Sequence, residues 1–536
     1  MTQVNRLPTG GRINRNRTVS FQFNGRSFQG FEGDTLAAAL IANGVSVTAR
    51  SFKYHRPRGI VGLGVEEPAS LVELEGNDAS GNNPITTVVI RDGLRAKSVN
   101  CWPSAEFDLG GVNQLLTKFI PAGFYYKTFK WPNWHLFEPS IRRAAGLAGA
   151  PASPPETGHF ESRHAHADVV IAGAGPAGLM TALIAGRAGA QVFIADEGTE
   201  AGGSLLNRRL KIDGRAAMDW VADTVAELAA MKNVTHLQNA TVWAYREHNL
   251  LVVNERIPAQ GSVLERSWRV RAGQMVCATG AIERAMVFAN NDRPGVMMTS
   301  AIQAYVTRYA VLPGRRAVLF TNNNSSYAAA ADMAQAGIQI TAIVDSRLSV
   351  PPEALAMVEG IEVLAGHVVT NVQGHKRVRS VSVSPGLGGR SRSLNCDLLG
   401  QSGGWNPAVH LFSQSRGSLM YDATIASFIP DIPAQATQSV GAATGQMTLM
   451  DALETGRVAG CEAAEACGFQ SAVAQGPESV DLDYAIEPLW RVETGLSKGK
   501  AFLDIQNDVS VDDVQLAMRE GYTNVEHVKR YTTGGM

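Results

Sequence analysis

The stretch from Asp168 to Met180 constrains this chain more than any other. Val169 to Ala172 has strand character and runs into Gly173-Ala-Gly175-Pro-Ala-Gly178, after which an alanine-rich helical pattern continues to about Gly189. A second apolar run, Gln191 to Ala195, ends on Asp196-Glu197. Strand, glycine turn, helix, strand and acid in that order predict a dinucleotide-binding unit. Gly173 permits the tight turn, and Gly175 lets the backbone approach a pyrophosphate. Gly178 lets the helix lie close to the sheet, and the helix N-terminus at Pro176-Ala177 faces the phosphates. The acid is expected to take the ribose hydroxyls, which favours NAD or FAD over NADP.

A chain of 536 residues is too long for one core. Its 18% charged residues and formal net charge of −1 suggest neither nucleic acid nor an anionic membrane as partner. The first residues have no apolar run behind them, so no signal peptide is expected, and the longest apolar stretch is the glycine turn itself. The five cysteines, Cys101, Cys277, Cys396, Cys461 and Cys467, fit no zinc or iron–sulfur spacing. They read as reduced thiols in a cytoplasmic protein, and no metal is expected.

Residues 1–100 read as a small β-grasp domain. Val19, Phe21 and Phe23 alternate before Asn24-Gly25, a hairpin signal. Gly33-Asp34-Thr35 then caps a helix with Leu36, Leu40 and Ile41 on one face, ending at Asn43-Gly44. Ser70 to Leu74 and Thr87 to Ile90 are the expected later strands. Plant-type ferredoxins use this arrangement and place cysteines just after the helix. Here the loop Ser51 to Ile60 carries Lys53, His55, Arg56 and Arg58 instead, which rules out a cluster held there. A solvated basic loop and a phosphate or partner contact are both open readings.

Residues 101–165 form a connector crowded with aromatics: Phe119, Phe124, Tyr125, Tyr126, Phe129, Trp131, Trp134 and Phe137. They pack either across domains or another subunit, or into the chain's own core. A linker follows at Ala150 to Gly158, and His159, His164 and His166 after it read as solvated.

The first dinucleotide domain is expected over 166–313, with its second part at 396–475. After Asp196 and Glu197, the Gly202-Gly203-Ser204 turn resembles that of two-dinucleotide flavoproteins, which wrap the ribose and pyrophosphate there. Thr241-Val242-Trp243 fits the strand whose backbone meets the adenine. The strand Gln274 to Ala278 ends on Thr279-Gly280, the exit to an inserted domain at 314–395. That domain repeats the topology: a strand at Arg316 to Phe320, a turn Thr321 to Ser326, a helix to Gly337, and a strand ending at Asp345. Its turn is Asn-Asn-Asn-Ser, so its nucleotide site is expected to be weak or empty. Gly441-Ala442, ahead of a helix from Leu449 to Ala466, would lie under the far half of a nucleotide in the first site. Residues 476–536 hold two short helices, one capped by Ser510 and one started by Thr523-Asn524. Lys529, Arg530 and Thr532 close the chain, either frayed or facing a phosphate. The fold class is α/β: two glutathione-reductase-like Rossmann domains, an N-terminal cluster-free β-grasp domain and a small C-terminal helical segment.

Seven motifs together carry a resemblance to the α subunits of heterotetrameric sarcosine oxidases. They are Arg50 to Ile60, Pro121 to Phe129, Ala174 to Gly178, Phe288 to Gly295, Gly403 to Pro407, Phe502 to Asp508 and Glu526 to Thr533. The resemblance implies that the β subunit holds FAD and oxidises sarcosine to glycine. FMN at the α–β interface would pass electrons to O2, giving H2O2, with γ and δ subunits completing the complex. It implies NAD in the first site, contacted by Ala177, Asp196, Glu197, Ser204 and Val242 with Gly441 behind, and FMN near Lys529 to Thr533. Family members continue past this point into a folate-binding domain that captures the one-carbon unit as 5,10-methylenetetrahydrofolate in place of formaldehyde. This chain stops at that junction, so it is expected to be either a truncated product or a short form whose folate domain is separate or absent. Other expectations remain: the α subunit of a proline, hydroxyproline or opine dehydrogenase complex, or a scaffold that binds nucleotide only to hold its fold. No catalytic acid, base or nucleophile stands out, so the amine chemistry is expected on another subunit.

Overall fold

The computed structural model describes residues 3–76, 80–117, 120–123, 131–144, 159–257, 263–386, 389–471, 476–493 and 499–535. The chain forms two compact units: Met1–Pro155 with Ala285–Gly403 and Leu489–Met536, and Glu156–Arg284 with Gly404–Pro488.

At the N-terminus, β1 (Asn14–Phe23) and β2 (Arg26–Glu32) form the hairpin expected at Asn24-Gly25, whose two residues have φ of 51° and 74°. Val19, Phe21 and Phe23 alternate inward. Helix α1 (Leu36–Ala42) is capped by Thr35, whose Oγ1 accepts the Ala38 amide at 3.2 Å, and every residue of α1 is buried. Arg95–Ser98, Leu71–Leu74 and Ser80–Pro84 complete a five-stranded sheet in the order β2, β1, Arg95–Ser98, Leu71–Leu74, Ser80–Pro84. Thr87 to Ile90 is not the strand expected. It is turn and coil with a single bridge from Val89 to Thr35. A helix start leaves amides without partners. Here those of Leu36 and Ala37 donate to Val88 O (2.7 Å) and Ile85 O (3.1 Å), so this segment caps a helix instead of extending a sheet.

The strand of the glycine turn, β3 (His159–Ala172), begins far earlier than its apolar run. His159, His164 and His166 thus lie on a strand with exposed side chains, not in a linker. Helix α2 (Pro176–Arg187) and strand β4 (Val192–Ala195) follow. The long strand β5 (Val263–Cys277) runs parallel to β3 from Val263↔His159 to Cys277↔Ala172. The sheet order is Val234–Leu237, β4, β3, β5, Leu250–Arg256, Ala240–Arg246, with Thr437–Ser439 also paired to β5.

The second Rossmann unit consists of β6 (Arg316–Thr321), α3 (Ser325–Gln335) and β7 (Gln339–Asp345). Its sheet also takes in Val296–Met298, Leu398–Ser402 and Val363–Ala365, all parallel. Two of these strands lie outside the expected 314–395. Contact density moves the exit and return from 313 and 396 to Arg284 and Gly404.

Returning to the first Rossmann unit, α4 (Leu449–Ala466) is capped by Thr448, whose Oγ1 accepts the Asp451 amide at 3.1 Å. It buries Ala452, Leu453, Ala459, Ala463 and Ala464 in a core shared with Leu179, Leu183 and Ile194 of α2 and β4. The chain ends with α5 (Val511–Arg519), closed by a Ser510–Asp513 capping box, and α6 (Val525–Thr532), capped by Asn524.

Candidate nucleotide site

Three close backbone approaches shape the turn between β3 and α2. Gly173 has φ 107°, and a Cβ there would stand 2.3 Å from Ala278 O; at Gly178 a Cβ would stand 1.9 Å from Gly173 O. At Gly203 (φ 53°) it would lie 2.8 Å from the Gly175 Cα. The Gly202-Gly203 turn is thereby laid against the glycine turn, with Gly202 N donating to Ala174 O at 2.8 Å. The α2 N-terminus has Gly175 at its cap with no side-chain cap bond and Pro176 in the first turn. Side chains cap α1, α4, α5 and α6, whereas α3, Ala217–Ala230 and Thr299–Thr307 also start without one, so it is the glycine turn ahead of α2 that sets its start apart. A helix start that follows such a turn suits an anion.

The acid already serves the turn. Asp196 Oδ2 accepts the Ala174 amide at 2.6 Å, and Oδ1 accepts the Gly198 amide at 2.7 Å, so its carboxylate braces the turn itself. Glu197 stands exposed just beyond. Thr279 is likewise turned to structure: its Oγ1 donates to Ala408 O at 2.7 Å, and Gly280 (φ 71°) accepts the Ala408 amide. Ser204 is exposed, Val242 half-buried on its strand, and Gly441 (φ 61°) buried with Ala442 half-buried beside it. A Cβ at Gly441 would lie 3.1 Å from the Ala177 Cβ, so this return segment reaches the first turn of α2.

Sequence reasoning passed over the clamp behind that turn. On α4, a Cβ at Gly456 would stand 2.3 Å from Ala177 O, and one at Gly460 2.9 Å from Thr181 O. Thr181 Oγ1 donates to Ala177 O (2.8 Å) and Gly456 O (3.1 Å). The two glycines, four apart in an alanine-rich helix, were the available signal. Also passed over is His236 on the edge strand. Its Nε2 is buried without a partner, and burial lowers its pKa against the upward pull of Asp196.

The second Rossmann unit is filled by its own side chains. Asn322, Asn323 and Asn324 are buried, and Asn323 Nδ2 donates to Ser402 Oγ at 3.0 Å. Arg347 is bidentate on Asp345, the counterpart of the acid after β4, with Nη2 to Oδ2 at 2.7 Å and Nε to Oδ1 at 3.0 Å. Its Nη1 donates to Asn324 Oδ1 at 2.7 Å, and Tyr327 Oη donates to Asp345 Oδ2 at 2.7 Å. Acid and turn are thus tied together by a guanidinium.

In the same compact unit as the second Rossmann repeat, the basic loop is neither solvated nor open. Arg56 is bidentate on Asp292 (2.6 and 2.7 Å), Arg58 pairs with Asp292 and Asp508, and Lys53 pairs with Asp513 at 3.3 Å. Asp508 also accepts the Lys53 and Tyr54 amides at 2.8 and 2.9 Å, and His55 Nδ1 meets Asp108 at 2.7 Å. Of the C-terminal residues, Thr532 is buried and donates to Val528 O at 2.7 Å, so its hydroxyl serves its own helix. Lys529 and Arg530 are exposed on the last turn of α6. In the connector, Trp102 and Trp131 are exposed, whereas Phe119, Phe124, Tyr125, Tyr126 and Phe129 lie outside the described residues. All five cysteines are free, and burial pushes the Cys277 thiol up to about 12 and Cys101 up to about 11. Among the described residues no helix is long and apolar enough to cross a membrane, and no group of side chains could hold a metal.

Three family profiles match the chain: a 2Fe-2S iron-sulfur cluster binding domain over 16–101, a pyridine nucleotide-disulphide oxidoreductase over 167–432, and a sarcosine oxidase A3 domain over 498–536. The first implies a cluster that the residues do not fit. A thiolate-held cluster needs four ligands, and Cys101 is the single cysteine within 16–101. The chain is 42% identical to the sarcosine oxidase subunit alpha of Rhizobium meliloti over 99% of its own length and 54% of the relative. It is 35% identical to that of a Corynebacterium strain over 98% of its own length and 53% of the relative. In fold it resembles the crystal structure of L-proline dehydrogenase from P. horikoshii, with TM-score 0.68 at 18% identity, covering 99% of this chain and 90% of that one. The chain spans about half the length of these curated relatives. By likeness along its whole length and by its A3 domain, it belongs with the α subunits of sarcosine oxidase.

Proposed function

We propose that this chain is the nucleotide-holding subunit of a sarcosine-oxidase-type complex. The observation that carries this reading is the 42% identity over 99% of the chain to a sarcosine oxidase α subunit. NAD is the nucleotide proposed for the first site. The amides at the uncapped start of α2 would take its pyrophosphate. Asp196, which also braces the turn, and Glu197 would take the ribose, Ser204 and Val242 would lie along the adenine half, and Gly441 and Ala442 along the far half. FMN, which carries electrons to oxygen when bound, is assigned to the interface with the β subunit, with Lys529 and Arg530 as this chain's phosphate contacts. The β subunit supplies FAD and the amine-oxidation site, and γ and δ complete the assembly. The β-grasp domain carries no cluster in this reading, and its loop serves as an ionic joint.

Co-expression with the companion subunits tests this directly. Sarcosine-dependent H2O2 is expected, together with one NAD per chain released on denaturation and identified by mass. Dye reduction by proline or an opine, with no peroxide from sarcosine, would reassign the complex to those dehydrogenases. A released FAD in place of NAD would refute the nucleotide assignment alone.

A further inference from the structure

Cations accumulate around the Arg50–Gly59 loop beyond what its carboxylates offset. Asp292 is fully engaged by Arg56 and Arg58, Asp508 by Arg58 and two backbone amides, and Asp108 by His55 and the amides of Trp102 and Gly110. Arg50 is buried, yet its guanidinium donates only to the carbonyl oxygens of Ala105 (2.6 Å), His55 (3.1 Å) and Glu106 (3.2 Å).

Arg293 is the sharpest case. It is half-buried and reaches only neutral acceptors, Val372 O at 3.2 Å and Asn290 Oδ1 at 3.3 Å. Arg56 donates to the same Asn290 Oδ1 at 3.1 Å, so two guanidinium groups stand side by side on one amide oxygen. Among the described residues, Nη1 of Arg293 makes no hydrogen bond, which leaves its donors available. Burial and then the charge of Arg56 lower the Arg293 pKa, against the upward pull of Asp292, whose carboxylate oxygens are already taken by Arg56 and Arg58. His375 is exposed in the turn between Val372, whose carbonyl takes Arg293, and Val378, whose amide donates to Pro294 O at 2.9 Å; partial desolvation, then the charges of Arg293, Arg50, Lys376 and Arg56, lower its pKa. Burying like charges together is unfavourable unless an anion joins them.

We propose that Arg293, with Arg56 beside it and His375 near it, forms a binding site for a phosphate group, free or carried as the monoester of a small molecule. A doubly charged oxyanion offers enough acceptors to take the remaining Nη1 donors of Arg293 and Arg56 together with an imidazole, which a single carboxylate does not. The site does not depend on which amine the complex oxidises.

The test is calorimetric titration of the full chain with inorganic phosphate and with ribose 5-phosphate, at ionic strength fixed by chloride. Saturable binding is expected. Arg293→Gln should weaken it at least about tenfold, His375→Gln a few-fold, and Arg17→Gln, on an exposed strand, not at all. Tighter binding of ribose 5-phosphate than of phosphate identifies a monoester site, and equal binding identifies a site for the phosphate group alone. Should Arg293→Gln fail to fold, the unaltered chain decides by NMR: the His375 pKa must rise when phosphate binds. Absence of saturable binding, binding undiminished in Arg293→Gln, an unmoved His375, or malonate binding as tightly as phosphate would each overturn the proposal.

Discussion

At Gly178 a methyl group would land 1.9 Å from the Gly173 carbonyl oxygen, a backbone atom that no rotamer change can move away. Gly178→Ala is therefore expected to destabilise the fold by about 1–3 kcal/mol, as overpacking does. It should also open the turn enough to lower the nucleotide recovered per chain, measured by chromatography after denaturation. His236 adds a pH dependence. Burial holds its folded pKa below the unfolded value near 6.5, so the folded state binds fewer protons than the unfolded state as pH falls. Its effect on stability is absent above that value. Below it, stability declines by at most about 1.4 kcal/mol per pH unit until the folded pKa is passed. Urea unfolding at pH 7.5 and 5.5 should show a smaller loss for His236→Gln than for the unaltered chain. An equal loss would remove His236 from the account.

At the scale of elements, the loop after α1 shows what charge does when burial leaves no water to solvate it. Asp292, with its side chain 1% exposed, faces burial that raises its pKa, but Arg58 and Arg56 more than reverse this and hold it below the ordinary carboxylate value. Asp292→Asn would leave Arg56 without its carboxylate and Arg58 with Asp508 alone, and a loss of about 3–5 kcal/mol in urea unfolding is expected. A loss under about 1 kcal/mol would mean that water solvates the loop after all. None of this was legible in Ser51 to Ile60 read alone. The four basic residues stand in sequence, but Asp292 and Asp508 lie hundreds of residues away, and local patterning carries no information about such partners. The helices fared better. Thr35, Thr448, Ser510 and Asn524 cap within three residues of themselves, so their chemistry is written where it acts. Strand ends were read less well. Thr87 to Ile90 has β propensity, yet its neighbouring carbonyls are taken by α1, and a partner's demand overrode the pattern.

Across the whole molecule, the two Rossmann units share one topology and differ in what fills it. The first keeps an uncapped helix start beside its acid. In the second, Arg347 ties Asp345 to Asn324. The asparagines announced that difference in the sequence; the arginine, two residues past the acid, did not, because only folding brings it back over the turn. The full extent of the second sheet was not legible for a related reason. Val296–Met298 and Leu398–Ser402 are short apolar runs that could join either sheet, and only pairing with β6 and with each other assigns them. The same dependence on distant segments sets an order of events during synthesis. Arg58 meets Asp508 across 450 residues of chain. At about 5–20 residues per second, a ribosome takes roughly 20–90 s to bridge that interval. For all of that time the nascent N-terminal domain carries an arginine destined for burial without the second of its carboxylates, until the turn ahead of α5 brings Asp508.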